Sequence, residues 1–325
     1  MEPDLGEFEL IRRFFVRREY VRRESGVLLG IGDDAAVLEL PRGSDLVACI
    51  DTIVAGRHFL EDADARTIGH RALAVNLSDI AAMGATPAWA TLALTMPSAD
   101  PDWLGNFAAG FLDLADAHAV ALVGGDTTRG PLTVSVQILG SVPHGGALRR
   151  GGAEAGDILA VSGTLGDAAA GLEFIRSPPP AASADVAALI ERFNYPTPRV
   201  QLGLAARGVA TAAMDLSDGL IGDLPKLAQA SGVAARVAVD ALPLSRAMRN
   251  VVSLSQARDW ALAGGDDYEL LFAVPPARFT ELKRSADQLN LTLTPIGELS
   301  AGEGVTWSLN GGEFKPSVSG YDHFA

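Results

Sequence analysis

Six apolar segments of the chain each carry one or two aspartates: GIGDDAAVL (Asp33, Asp34), CIDTIVAG (Asp51), NLSDIAAMGA (Asp79), VGGDTTRG (Asp126), MDLSDGL (Asp215, Asp218) and AGGDDYEL (Asp266, Asp267). Taken singly, each reads as a helix cap or a turn, because Asp caps helices and Asp-Gly pairs bend chains. Together they fit that reading less well, since each follows or ends an apolar run, where active-site loops leave an α/β sheet. If the side chains converge, repulsion decides the matter: two carboxylates about 4 Å apart repel by roughly 4 kcal/mol at an effective dielectric of 20. Such a cluster holds together only around cations. Oxygen ligands without His or Cys point to Mg²⁺ or Mn²⁺, and Mg²⁺ takes few carboxylates per ion, with phosphates and water completing its shell. Several ions and a polyphosphate are the chemistry this pattern leads us to expect.

Asp79 differs in kind. Residues 65–83 contain no Pro, and Ile68, Ala72, Val75, Asp79 and Ala82 recur at helical spacing, which predicts an inward-facing carboxylate within a helix. Asn76 lies one turn earlier on the same face. A buried unpaired carboxylate costs several kcal/mol or takes up a proton, so Asp79 needs a cap role, a partner or a cation. An N-cap by Ser78 or Asp79 after a helix break is the alternative.

Other chemistries find little support. The lysines Lys226, Lys283 and Lys315 follow Pro, Leu and Phe, so none closes a P-loop. GIGDDA fits G-x-G-x-x-A formally, but its two Asp would repel a pyrophosphate held without metal. No G-x-S-x-G, H-E-x-x-H or catalytic Cys/His signature is present. The net charge of −14 in 325 residues opposes nucleic acids and anionic membranes. The basic stretch 11–23 reads as an amphipathic helix with a solvated face. A single cysteine, Cys49, excludes an intramolecular disulfide. The N-terminal residues lack an apolar signal region and no run of 18 apolar residues occurs, so a cytoplasmic location is expected.

Those carboxylates must be carried by regular elements. Strands are predicted at 45–54, 87–97, 119–127 and 131–142, and helices at 64–85 and 100–118, making the first half α/β. A second unit starts with the strand, turn and helix of 158–174. It continues with a strand at 208–218, a helix at 219–232 and strands at 235–242 and 264–274. Residues 177–186, rich in Pro, Ala and Ser, read as an exposed loop. The domain boundary is expected near 147, giving domains 1–147 and 148–325.

The segments GIGDDAAVL, DTIVAGRHF, ALAVNLSDIAAMGATPAWATLALTMP, LVGGDTTRGPL, GALRRGGAEAGD, DLSDGL, GGDDYEL and GYDHF, in this order over nearly the whole chain, closely resemble the thiamine-monophosphate kinase family. That family is grouped with aminoimidazole ribonucleotide synthetase, selenophosphate synthetase and a hydrogenase maturation factor. The resemblance implies a two-domain α/β fold in which the N-terminal mixed sheet forms a dimer interface and the C-terminal α/β domain completes the site. It implies phosphorylation of thiamine phosphate by ATP with several Mg²⁺ ions. Carried over by motif, Asp34, Asp51, Asp79, Asp126, Asp215 and Asp218 correspond to metal ligands, and Gly125, Asp126, Arg150 and Ser217 to ATP contacts. Asp126, Asp215 and Arg150 are the candidates for the transfer itself. His58 and Asp266 fall where the family contacts thiamine phosphate. Tyr321 is either a core anchor or a residue that stacks on the thiamine rings.

The chain departs from the family pattern in places. Cys49 and Ile50 stand where hydroxyl residues are usual, Asp266 stands where Glu is expected, and Val318 holds a position often aromatic. Two rivals to a thiamine-phosphate kinase are another ATP-using enzyme of the same superfamily and a catalytically silent nucleotide- or thiamine-binding protein. All six implied metal ligands are retained.

Overall fold

The computed structural model describes residues 7–17, 26–181 and 183–320. The chain divides into two compact units, one of residues 1–80 and 85–145, the other of 81–84 and 146–325.

The first unit runs α1 (Glu7–Phe14), β1 (Val27–Leu29), β2 (Val37–Leu38), β3 (Ser44–Val54), α2 (Ala65–Ala82), β4 (Thr86–Met96), α3 (Pro101–Ala117), β5 (Ala121–Arg129) and β6 (Thr133–Pro143). Four strands form a mixed sheet in the order β3-β6-β4-β5, with β4 and β5 parallel and the other pairings antiparallel. Helix α3 makes the β4-to-β5 crossover that a parallel pair requires. Its start is written in the sequence: Asp100 caps the Asp102 and Trp103 amides at 2.9 and 3.2 Å, and Pro101 holds the first helical position. Helix α2 is buried on most of its surface, with Leu73, Leu77 and Ile80 fully enclosed. Burial of each such side chain stabilises by about 1.5–3 kcal/mol. Helices α2 and α3 meet through glycines. A Cβ on Gly69 would lie 2.1 Å from the Phe107 carbonyl oxygen, and one on Gly110 1.9 Å from that of Arg66.

The second unit runs β7 (Ile158–Ser162), α4 (Asp167–Arg176), α5 (Ala184–Asn194), α6 (Val200–Ala206), β8 (Ala212–Leu216), α7 (Leu220–Ser231), β9 (Val233–Ala238), α8 (Arg246–Val251), α9 (Leu254–Ala263), β10 (Glu269–Val274), α10 (Pro276–Gln288), β11 (Leu293–Ala301), β12 (Val305–Leu309) and β13 (Gly312–Phe314). Its seven-stranded sheet has the order β13-β12-β9-β11-β7-β10-β8. Only the β12–β9 pairing is parallel. Strands β7, β10 and β8 are buried almost throughout, as continuous apolar runs predict for strands covered on both faces.

Several expected boundaries move. Residues 183–186, read as loop, open helix α5, because the Ser183 hydroxyl accepts from the Val186 amide and caps it. The strand expected from 264 begins at Glu269, since the backbone from 264 to 268 is committed elsewhere. The strand expected at 208–218 is confined to Ala212–Leu216. The N-terminal helix is described at Glu7–Phe14, while residues 18–25 of the basic stretch lie outside the described residues.

Candidate active site

In the first unit, Asp51 on β3 and Asp79 on α2 are in side-chain hydrogen-bond contact. Two carboxyl groups this close repel when both are ionised, so the arrangement calls for a proton on one of them or a cation between them. Burial raises the Asp51 pKa, while the bond to Asp79 opposes the rise. Helix α2 runs unbroken through Asp79, which removes the N-cap alternative. Asp79 stands near the C-terminal end of α2, where the helix dipole disfavours an anion and no basic side chain is present in the last turn. A hard cation between them would satisfy both carboxylates and the dipole, so the donor set fits Mg²⁺.

Asn76 holds this pair in register. β3 is an edge strand whose outward amides lack a strand partner. The Asn76 side-chain oxygen accepts from the Asp51 amide at 3.0 Å, and its nitrogen donates to the Ala72 carbonyl at 3.0 Å. Cys49 lies against the Asn76 carbonyl at 3.5 Å, whereas Ile50 points outward and is 63% exposed. In the turn after β3, His58 Nδ1 accepts from the Val54 amide at 3.1 Å. With Nδ1 accepting, the proton of the neutral ring is on Nε2.

Asp126 and Asp34 are exposed. Asp126 follows a bulge in β5, where the register slips between Ala90 and Thr91 and Val123 is the extra residue. Gly125 there has φ +153°, and a Cβ would stand 1.9 Å from the Leu92 carbonyl oxygen, so only glycine fits before Asp126. The Asp34 amide donates to Asp33 Oδ1 at 2.8 Å in a tight turn. Arg129 does not pair with an Asp in that contact; its Nε donates to the Pro97 carbonyl at 3.1 Å. Among the described residues, no group of three or more His, Cys, Asp or Glu side chains stands close enough to hold a metal ion. The structure brings Asp51 and Asp79 together and leaves Asp34 and Asp126 as exposed groups.

In the second unit, β8 delivers the buried Asp215 and then turns through Ser217 and Asp218 into α7. That turn is held by Asp223, which accepts from the Ser217 and Asp218 amides at 3.0 and 2.9 Å. Burial raises the Asp223 pKa, against the opposing hydrogen bond from Lys226. Lys226 Nζ donates to Asp218 at 2.7 Å and to Asp223 at 2.8 Å. Burial disfavours its charge, yet the two carboxylates raise its pKa overall. Lys226 was missed by motif reading, because its partners are Asp218 on the turn before α7 and Asp223 within the helix itself, neither of them part of a lysine motif. The Arg150 side chain is exposed, and its carbonyl accepts from the Ser231 hydroxyl at 2.9 Å.

The 264–268 segment is tied to that same turn: the Asp266 amide donates to the Ser217 carbonyl, and the Tyr268 amide to the Leu216 carbonyl, both at 2.9 Å. Asp266 and Tyr268 have φ of +69° and +49°, conformations that cost a non-glycine residue about 1–2 kcal/mol each. Beneath the segment lies a buried ionic cluster. Glu269, fully enclosed, accepts from Arg192, Arg199 and the Ser162 hydroxyl. Burial opposes its charge, and the guanidinium of Arg199 is foremost among the groups that carry its pKa below the usual value. Asp267 turns inward and accepts from the Gly166 amide at 2.6 Å and the Ala168 amide at 3.4 Å. It thereby fills the N-terminus of α4, so the glycine-containing turn after β7 is no site for an external phosphate. Burial pushes its pKa up to about 8. Val318 packs on the core of the unit. Tyr321 lies outside the described residues.

Two consecutive matches define the class of protein. Residues 32–142 match the AIR synthase related protein, N-terminal domain, and residues 154–309 match the C-terminal domain of the same family. The thiamine-monophosphate kinase of Salmonella typhimurium is 48% identical over 322 residues, covering 98% of each chain. The crystal structure of thiamine-monophosphate kinase from Stenotrophomonas maltophilia K279a matches with TM-score 0.87 and 48% identity, covering 95% of this chain and 98% of that one. A second solved structure, of AaThiL complexed with AMPPCP and TMP, matches with TM-score 0.78 and 33% identity, covering 98% and 97%. The chain belongs to the thiamine-monophosphate kinase family of AIR synthase related proteins.

Proposed function

We propose that the chain transfers the γ-phosphoryl group of ATP to thiamine phosphate, giving thiamine diphosphate and ADP, by direct in-line displacement with several Mg²⁺ ions. The observation that carries this reading is the Asp51–Asp79 pair, two partly buried carboxyl groups in hydrogen-bond contact in a chain of this family. The relative solved with AMPPCP and TMP holds an ATP analogue and TMP together, as a kinase of this class requires.

The acceptor is a phosphate monoester whose second pKa is about 6, so it is largely ionised at pH 7 and needs no general base. Its oxygen attacks the γ-phosphorus while the bond to the ADP oxygen breaks. Bound Mg²⁺ supplies charge neutralisation between the two anions and alignment of the displacement. Asp34, Asp51, Asp79, Asp126, Asp215 and Asp218 are the residues that would hold it. Gly125, Asp126, Arg150 and Ser217 bind ATP, and Asp126, Asp215 and Arg150 are the residues assigned to the transfer itself. His58 Nε2 and Asp266 bind thiamine phosphate. Steady-state assay tests this: thiamine diphosphate and ADP form in equal amounts with Mg²⁺ and cease with a chelator. ATP bound without product would overturn the reading.

We further place a homodimer interface on the outward face of β3. Leu46 and Ile50 are 50% and 63% exposed there on an edge strand, an apolar patch that a monomer would leave in water. Ile50→Asp is expected to convert a dimer into a monomer by light scattering at micromolar concentration. A wild-type monomer under those conditions would contradict it. Among the described residues no helix is long and apolar enough to cross a membrane. We place the reaction in the cytoplasm.

A further inference from the structure

Residues 264–268 form a strap with two unusual features. Asp266 and Tyr268 both occupy the left-handed backbone region, with φ of +69° and +49°. Asp tolerates that region through its short polar side chain, but a bulky aromatic residue does not. Such a backbone persists only when its surroundings over-determine it, and here they do. The Asp266 and Tyr268 amides are bound to the carbonyls of Ser217 and Leu216. Gly265 lies so close to the same turn that a Cβ would be 2.5 Å from the Ser217 carbonyl oxygen. From below, Arg192 donates to the Asp267 carbonyl and to Glu269, while the Asp267 carboxyl group is anchored on the first amides of α4.

The consequence of this geometry is a contact across the bend. Tyr268, only 9% exposed, directs its hydroxyl back onto Asp266 Oδ1 at 3.1 Å. In an ordinary strand the side chains of residues 266 and 268 would run parallel along one face. The left-handed conformations instead turn the phenol onto the carboxylate two residues earlier. A phenolic hydroxyl bound to a carboxylate fixes its orientation without removing its charge.

We propose that Tyr268 is a positioning residue for substrate: it holds the Asp266 carboxylate in the orientation that receives the cationic, amine-bearing rings of thiamine phosphate. The inference rests on the reading of Asp266 as a substrate contact in a thiamine-phosphate kinase. The strained strap is the means by which that orientation is kept in register with the Leu216–Ser217 turn. Tyr268 itself touches no substrate in this arrangement. Its effect is transmitted through its hydrogen bond to Asp266.

The test is a double-mutant cycle of Tyr268→Phe and Asp266→Ala, read by calorimetric Kd for thiamine phosphate and by steady-state kinetics. Tyr268→Phe keeps the ring and removes only the hydroxyl. It is expected to raise the Kd and KM for thiamine phosphate about tenfold, the scale of one hydrogen bond to a charged group. The kcat and the KM for ATP should stay within about twofold and the melting temperature should hold. In the Asp266→Ala background, where Kd is already weakened, adding Tyr268→Phe should have no further effect. An unchanged Kd in Tyr268→Phe would overturn the proposal, as would an equal loss in both backgrounds or a parallel rise in the KM for ATP. A wild-type chain that binds thiamine phosphate without phosphorylating it would refute the kinase reading while the calorimetric cycle still decided the role of Tyr268.

Discussion

Asp79→Asn is expected to lower kcat/KM by at least about 10³-fold, roughly 4 kcal/mol of lost transition-state stabilisation. The same change should leave the ligand-free protein as stable as before or about 1 kcal/mol more stable. The reason is the close contact between the Asp79 and Asp51 carboxyl groups. An amide at 79 can donate to an ionised Asp51 without either group taking up a proton, so repulsion is relieved, but one anionic oxygen ligand is lost. The opposite signs are informative. A residue serving only the packing of α2 would lose stability first and activity in proportion. Kinetics with Mg²⁺ titration and chemical denaturation of the same preparation check both halves. Activity and Mg²⁺ dependence that survive unchanged would remove Asp79 from the site.

The largest stability effect is expected at Glu269. Its carboxylate is fully enclosed and receives Arg192, Arg199 and Ser162. Removing it in Glu269→Ala leaves two guanidinium groups facing each other with side chains only 15% and 14% exposed. Breaking a buried ion pair by deleting one partner costs about 3–5 kcal/mol, because the remaining charge is uncompensated. A drop of about 10 °C in melting temperature follows for a unit of this size. Denaturant unfolding should show the loss in the midpoint. A change below about 1 kcal/mol would mean that water or another group reaches the cluster. Glu269→Gln, which keeps the hydrogen-bonding oxygen and loses the charge, should fall between.

What the sequence made legible follows from range. Helix α2 and the inward Asp79 were readable because apolar spacing, the absence of Pro and one carboxylate all lie within eighteen residues. The start of α3 was readable because Asp100 and Pro101 are adjacent to what they cap. The carboxylate inventory raised the convergence of acidic segments without saying which would meet; the pairing of Asp51 with Asp79 and the bracket through Asn76, which spans 25 residues, need the edge position of β3 to make sense. The ionic cluster left no local trace at all. Arg192 and Glu269 are 77 residues apart, and Arg199 and Glu269 70. Neighbouring Asp in one motif also diverge: Asp266 stays with the turn of Ser217, while Asp267, buried completely, closes the N-terminus of α4. Types and spacing named the acidic segments; only the fold separates the carboxylates that face a ligand from those that hold the scaffold.

The most direct measurement is a rapid-quench single turnover with ATP labelled in its γ-phosphoryl group, Mg²⁺ and thiamine phosphate, with protein and small molecules separated at each time. Direct transfer between two anions bound on carboxylate-held cations predicts that label leaves ATP and enters thiamine diphosphate with one rate constant, the protein remaining unlabelled throughout. Label accumulating on the protein, or released as inorganic phosphate while thiamine phosphate stays unchanged, would contradict it.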